Sequence, residues 1–417
     1  MAASFDDLER RAPDAREADS FARLPRFLAS VVDDVPGLSA WLGAVDFASL
    51  VSREALARLP VLHKSDLMEM QAKQPPFGGF ANPAHLRGGR VFLSPGPIWE
   101  PQGLSADPAQ AARAFFAAGM RTGDIVHNAF SYHMTPGGFM MDHGARALGC
   151  TVFPAGTGNT DMQVEAAAAL RPSAFAGTPD FLKVMLDRAA ETGKDLSSIR
   201  LGLVSGGALF PSLRDEYRAR GVRVFQCYAT AEFGVIAYES ADEHGAPNPG
   251  MIVNEDLIVE IVRPGTGDPV AEGEVGEVVV TSLNPAYPMV RLGTGDLSAV
   301  LPGQSPCGRT GMRIKGWMGR ADQRTKVKGM FVDPRQVAEI VARHGGIAKA
   351  RLIVTRDGAR DAMALHAELT EGATPDVGAI ESSLREITKL GGSVRLVPAG
   401  SLPNDGKIIA DERDYAG

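Results

Sequence analysis

Four short stretches carry side chains whose types and spacing suit chemistry. In CYATAEFG, Cys227 to Gly234, the aromatic Tyr228 precedes the carboxylate Glu232 in a loop that follows a predicted strand. A ring placed there can stack on a flat heterocycle, and a carboxylate can ligate a divalent cation. RLGTGDLS sets Asp296 in a Gly-rich turn, where its two oxygens can accept hydrogen bonds from vicinal hydroxyls. GRADQRTKVKG crowds Arg320, Asp322, Arg324, Lys326 and Lys328 together, and SLPNDGKII presents Lys407 in a turn close to the last residue. Taken singly, each has a plainer reading as a structural loop, an Asp turn, a solvated basic loop or a surface lysine. Their order along the chain, Tyr-x-x-x-Glu, Thr-Gly-Asp, Gly-Arg-x-Asp, Pro-x-x-Gly-Lys, is far more specific than any one of them.

These loops need a scaffold, and the hydrophobic pattern supplies one. Early in the chain Leu24, Phe27, Leu28 and Val31 recur at helical spacing, an amphipathic lead-in. From about residue 105 to 230, helical segments such as AQAARAFFAAGM and FLKVMLDRAAETG alternate with short apolar runs such as DIVHNAF, IRLGLVSGG and VRVFQCYAT. That rhythm predicts crossover units and a mostly parallel sheet, with ligands at the carboxyl ends of the strands. After residue 235, IVNEDLIVEIV and GEVGEVVVTSL, joined by a Gly/Pro/Asp turn, predict antiparallel strands. The expected fold is α/β: a large domain over residues 1–321, with a mostly parallel sheet plus antiparallel strands, then a small mobile α+β domain over 322–417.

Composition narrows the function classes. With 417 residues, 43 Lys+Arg against 50 Asp+Glu and a net charge of −7, the chain has room for more than one core and lacks the basic footprint of a nucleic-acid binder. Cys150, Cys227 and Cys307, 77 and 80 residues apart, match neither a disulfide framework nor a short-spaced metal cluster. The polar N-terminus and the lack of a long apolar run speak against secretion and membrane spanning, so the expected compartment is the cytoplasm. His133 and His143 have no carboxylate partner close in sequence and are assigned no metal.

The ordered set of motifs resembles the adenylate-forming acyl-CoA synthetases, and within them the phenylacetate-CoA ligase family, over nearly the whole chain. FSYHMTPGGF, ARALGCTVFPAGTGNTDMQ, GTPDFL, SGGALF and GEVVVTSLNPAYPMVRLGTGDLSAVLPG follow in family order. The resemblance implies an AMP-forming acid–thiol ligase that uses ATP, Mg²⁺ and coenzyme A on a small aryl or arylacetic acid. Ser205, Gly206, Gly207 and Ala208 would line the adenine site, with Tyr228 against the base or the acyl group, Asp296 would hold the ribose, and Arg320 would assist at ribose and phosphate. Glu232 would hold Mg²⁺, Lys407 would be the adenylation lysine, Asp322 the hinge, and Lys326, Lys328 and Gly329 would meet coenzyme A. Tyr132, Phe139, Phe233 and Gly234 would form the acyl pocket. Related enzymes are often homodimers.

Two departures stand out. Where the family carries a phosphate loop of the type SSGTTGKP, this chain reads SPGPIWEP, Ser94 to Pro101. Ser94 and Gly96 match, but Pro95 and Pro97 remove two N–H donors and Glu100 replaces the lysine. Ala231 stands where the family has Thr or Ser, leaving Thr230 as the available hydroxyl. The sequence alone therefore leaves three readings open: a coenzyme A ligase, an adenylating enzyme that serves a carrier-protein thiol, and a catalytically silent nucleotide- or adenylate-binding homologue.

Overall fold

The computed structural model describes residues 4–264, 267–321, 325–332, 334–357, 360–370, 372–402 and 408–413. Its contacts divide the chain into two units, Met1–Trp317 and Met318–Gly417.

In the larger unit, short apolar segments pair into an eight-stranded sheet. Five of its strands, in spatial order Thr151–Pro154, Ile125–Asn128, Ala174–Gly177, Leu201–Val204 and Arg223–Thr230, run parallel. Helices Gly137–Ala147, Thr160–Leu170, Pro179–Thr192 and Pro211–Ala219 make the crossovers. Ala174–Gly177 and Leu201–Val204 are buried along their whole length, as expected of parallel strands covered on both faces. The sheet continues antiparallel through Gly234–Tyr238, Met251–Val253 and Arg313–Ile314. A second sheet pairs Leu257–Val262, Gly276–Ser282 and Met289–Ser298 antiparallel, with Leu62–His63 alongside. Its buried face shares a core with the lead-in helix Pro13–Val31, in which Phe21, Leu24, Leu28 and Val31 are buried and Phe27 packs at the margin.

Chain order fixes where a ligand fits. Strand Ile125–Asn128 lies between the next two strands in sequence, Thr151–Pro154 and Ala174–Gly177, so the winding reverses beside it. Loops leaving the carboxyl ends of strands at such a reversal flank an open crevice. Here they are residues 129–136, 177–179 and 205–209. A Cβ added to Gly206 would lie 3.9 Å from both Phe130 and Thr178, so the three loops meet.

The smaller unit is α+β. A four-stranded sheet, in order Ser393–Val397, Arg360–Leu369, Ile347–Asp357 and Ile409–Asp411, packs helices Pro334–Arg343 and Val377–Thr388 over Val337, Ile340, Leu352, Val354, Leu365, Ile380 and Leu384. Ahead of it stands the hairpin Thr325–Val327/Met330–Val332. Among the described residues no helix is long and apolar enough to cross a membrane.

Candidate active site

Tyr228 ends up buried near the carboxyl end of strand Arg223–Thr230, in register with Ala237 of the following antiparallel strand. Its hydroxyl donates to Asp296 Oδ2 at 2.8 Å, and the indole Nε1 of Trp317 donates to Asp296 Oδ1 at 3.0 Å. Both carboxylate oxygens are thereby oriented. Ser205 is held beneath them, its hydroxyl donating to the carbonyl of Cys227 at 2.8 Å, while Gly206 and Gly207 are exposed. The sequence-predicted residues of the loops after Leu201–Val204 and Arg223–Thr230 are thus brought together with Asp296 of the second sheet.

Glu232 is 6% exposed, and its Oε1 accepts from Lys64 Nζ at 2.7 Å. Lys64 opens helix Lys64–Lys73, and nothing in its local sequence marks it as a site residue. Burial alone would disfavour its charge, but Glu232, and beyond it Asp296 and Glu100, outweigh that and hold the ammonium above the ordinary lysine range. Burial likewise works against the Glu232 carboxylate, and Lys64 overrides it, holding that carboxyl below the usual range. The second oxygen of Glu232 and the hydroxyl oxygen of Thr230 are buried close together, and the Thr230 hydroxyl helps to hold the carboxyl low. A buried carboxylate oxygen beside a hydroxyl is a hard-oxygen donor set, so these residues fit the Mg²⁺ that the resemblance implies.

The segment read as a phosphate loop is a tight hairpin. Arg90–Ser94 pairs antiparallel with Ile98–Gln102, turning over residues 95–97, two of which are prolines with no N–H to offer. The Ser94 hydroxyl is turned inward, shared between the carbonyl of Ile98 at 3.2 Å and Glu100 Oε1 at 3.1 Å, so it does not stand free as a phosphate donor. Glu100, 2% exposed, points into the protein, and burial followed by the neighbouring Glu232 pushes its carboxyl well above the usual range. Helix Lys64–Lys73 clamps the hairpin from behind: Gln71 donates to the Trp99 carbonyl and accepts from the Trp99 N–H, both at 2.9 Å.

The four residues expected in the acyl pocket separate into two groups. Tyr132 and Phe139 meet edge to face at 5.2 Å, and Phe139 also packs on Phe92 of the hairpin at 5.5 Å, with the Arg90 guanidinium 4.6 Å over its ring. The Tyr132 hydroxyl accepts from Asn128 at 2.7 Å and donates to Asp142 at 3.1 Å. Gly138 makes this possible, since a Cβ there would lie 2.7 Å from the Ser131 carbonyl and 2.8 Å from the Tyr132 ring. Phe233, by contrast, is buried in the core that holds Ile98, Tyr228 and Ile236. Gly234 (φ 72°) presses its backbone on Ala109, where a Cβ would sit 2.4 Å from the Ala109 carbonyl oxygen, so its requirement is close packing.

In the smaller unit, Lys328 and Gly329, both at positive φ, form the two-residue turn between Val327 and Met330, and the Lys328 N–H donates to Asp361 at 3.0 Å. Lys326 lies on the strand before the turn, and Arg320 belongs to the same unit. Asp322 and Lys407 lie outside the described residues. Neither Lys64 nor Trp317 was singled out from sequence.

Comparison with known proteins agrees with this architecture. The family model described as "AMP-binding enzyme" matches residues 109–286, a stretch that includes the crevice loops, Tyr228 and Glu232. The chain is 31% identical over 371 residues to phenylacetate-coenzyme A ligase of Thermus thermophilus, covering 85% of this chain and 82% of the relative. To the phenylacetate-coenzyme A ligase of Pseudomonas putida it is 30% identical, covering 88% and 85%. The chain belongs to the phenylacetate-CoA ligase family. Among solved structures, 2-hydroxyisobutyryl-CoA ligase in complex with 2-HIB-AMP and CoA, in the thioesterification state, superposes with a TM-score of 0.77 at 25% identity, covering 98% of this chain and 92% of that one.

Proposed function

We propose that the chain activates a small aryl or arylacetic acid with ATP and passes the acyl group to coenzyme A. The observation that carries this reading is the pair of buried carboxylates, Asp296 on strand Met289–Ser298 of the second sheet and Glu232 in the turn after strand Arg223–Thr230. Asp296 is fixed from both sides by Tyr228 and Trp317, and Glu232 keeps its second oxygen close to the Thr230 hydroxyl.

The adenine would lie along Ser205–Ala208 against Tyr228, and the ribose hydroxyls would donate to the Asp296 carboxylate. The substrate carboxylate then attacks the α-phosphorus, the bond to the bridging oxygen breaks, and pyrophosphate leaves. Mg²⁺, when bound at Glu232, neutralises phosphate charge during this step. Lys64 keeps Glu232 ionised for that task. Lys407 and Arg320 supply cations that favour the pentavalent state over the ground state. In the second half-reaction the smaller domain turns about Asp322, and the Lys326–Gly329 hairpin meets coenzyme A, whose thiolate displaces AMP from the acyl adenylate. Tyr132 and Phe139 form the flat wall for the acid. The protein works on small molecules in the cytoplasm as a homodimer, an assembly that sedimentation would test.

The decisive experiment is AMP release from ATP, Mg²⁺ and coenzyme A over a panel of benzoic, phenylacetic, indoleacetic and short aliphatic acids. Acid-dependent release for the aromatic members is expected. Lys407→Ala should remove it while leaving thiol transfer from a supplied acyl adenylate. Silence across the panel with folded protein and excess ATP would overturn the reading.

A further inference from the structure

We propose that Trp317 is a positioning residue for the ribose: it fixes the plane of the Asp296 carboxylate, so that ribose recognition registers at the last residue of the larger unit. The inference rests on the reading that Asp296 takes the ribose hydroxyls, and adds what holds the carboxylate in place for them.

The backbone at Asp296 is locked by its own neighbours. The Gly295 N–H donates to Glu277 Oε1 at 3.0 Å, and the Asp296 N–H to Thr294 Oγ1 at 3.1 Å. That leaves the carboxylate plane undecided, because the terminal torsion of an aspartate has a broad, two-fold profile. A vicinal diol that donates to both oxygens needs that plane held. The donors on the two oxygens hold it, the Tyr228 hydroxyl on Oδ2 at 2.8 Å and the Trp317 indole on Oδ1 at 3.0 Å. A carboxylate oxygen accepts more than one hydrogen bond, so donors that orient it leave it able to meet a diol.

The two donors are placed differently. Tyr228 is buried and in register with Ala237 inside the first sheet. Trp317 is half-buried at the margin of the core that holds Tyr228 and Met289, and it is the last residue of the larger unit. The stretch just ahead of it is stitched to the chain just past Asp296: the Lys315 N–H donates to the Ala299 carbonyl at 2.9 Å, and the Ser298 hydroxyl to the Gly316 carbonyl at 2.7 Å. The indole thus reaches the aspartate from a short anchored segment. From there the sequence runs directly to Arg320 and Asp322, so a change at the Asp296 carboxylate is passed to the start of the connection between the units.

The test compares AMP with 2′,3′-dideoxy-AMP by calorimetric titration of the full chain. Wild type should prefer AMP by at least about tenfold, since the missing hydroxyls would each have bonded a charged acceptor. Trp317→Phe keeps an aromatic ring and removes the N–H. It should shrink that preference by about threefold or more while binding the dideoxy nucleotide as wild type does. Equal weakening of both nucleotides would reduce the indole to packing, and an unchanged preference would show that it does not orient Asp296; either result overturns the proposal. A wild type that binds the two equally would instead take the ribose away from Asp296, and the proposal would fall with that reading. Should Trp317→Phe not fold, wild type labelled with ¹⁵N at its three tryptophans gives a second readout. The Trp317 indole resonance, identified by elimination with Trp41→Phe and Trp99→Phe, should shift on adding AMP and much less on adding the dideoxy nucleotide. No shift, or equal shifts, would overturn the proposal.

Discussion

Lys64 and Glu232 show how much a single buried contact decides. A surface ion pair contributes little, but Glu232 is almost fully enclosed, so removing its partner leaves a charge that cannot reach water. Lys64→Met should therefore destabilise the larger unit by about 3 kcal/mol, well above the roughly 1 kcal/mol of a single hydrogen bond such as Ser94 to Glu100. Adding Glu232→Gln to Lys64→Met should recover most of that loss, since the stranded charge goes with it. Urea midpoints of the two single variants and the double variant measure the coupling, and strict additivity would contradict it. The cysteines give a pH signature of opposite character. Burial pushes the Cys227 thiol up to about 12 and the Cys150 thiol up to about 11 from an ordinary 9.0. Because the folded state favours the neutral thiol, their contribution is complete below pH 9.0 and is lost as pH climbs through the raised values. Cys227→Val should flatten the fall in urea midpoint between about pH 9 and about pH 11. An unchanged slope would mean that the thiol is not the group responsible.

Helix Gly137–Ala147 meets the loop before it at a glycine. Gly138 lets the loop carrying Tyr132 lie directly on the helix, and Phe139 next to it reaches across to Phe92 of the hairpin. Gly138→Ala inserts a carbon within 2.8 Å of a ring and a carbonyl, so the loop must lift. The expected cost is about 1–3 kcal/mol, with KM for the acid rising more than kcat falls, because the wall moves while the nucleotide side stays. Steady-state kinetics at saturating ATP separate the two, and an unchanged KM would take Tyr132 and Phe139 out of the acyl site. These elements also show which parts of the structure local sequence can reveal. The alternation of helix and strand is readable because each period is local, and the loops after the parallel strands follow from it. Tyr228, Glu232 and Asp296 stand out because each sits in a short motif. Lys64 does not, since its meaning lies in a partner 168 positions further along the chain. Trp317 escapes for the same reason, lying 21 residues past the aspartate it holds. In SPGPIWEP the prolines signal a turn, but that Glu100 points inward is decided by pairing of Phe92 with Glu100 and by Gln71 clamping Trp99.

Across the larger unit, the start of the chain is tied back to the sheet that carries the site. Glu9 accepts from Arg309 Nε and from the Tyr238 hydroxyl, each at 2.7 Å, and its carbonyl accepts from the Thr310 N–H at 3.0 Å. Arg16, on the lead-in helix, pairs with Glu255 at 3.0 Å. Tyr238 closes the strand that Gly234 opens, so this knot fastens the end of the strand remote from Glu232. Both Glu9 and Arg309 are almost completely enclosed, which makes the pair expensive to break and nearly neutral to replace. Arg309→Met alone strands Glu9 and should cost about 3–5 kcal/mol. Glu9→Leu with Arg309→Met removes both charges and leaves mainly the Tyr238 hydroxyl unmet, a loss of about 1–3 kcal/mol. Urea unfolding followed by circular dichroism should place the double variant between wild type and Arg309→Met. Because the knot lies at the far end of the strand, kcat of the folded variants should match wild type under conditions where all are native. A variant with an unchanged unfolding midpoint and a depressed kcat would show instead that the knot acts on the site itself.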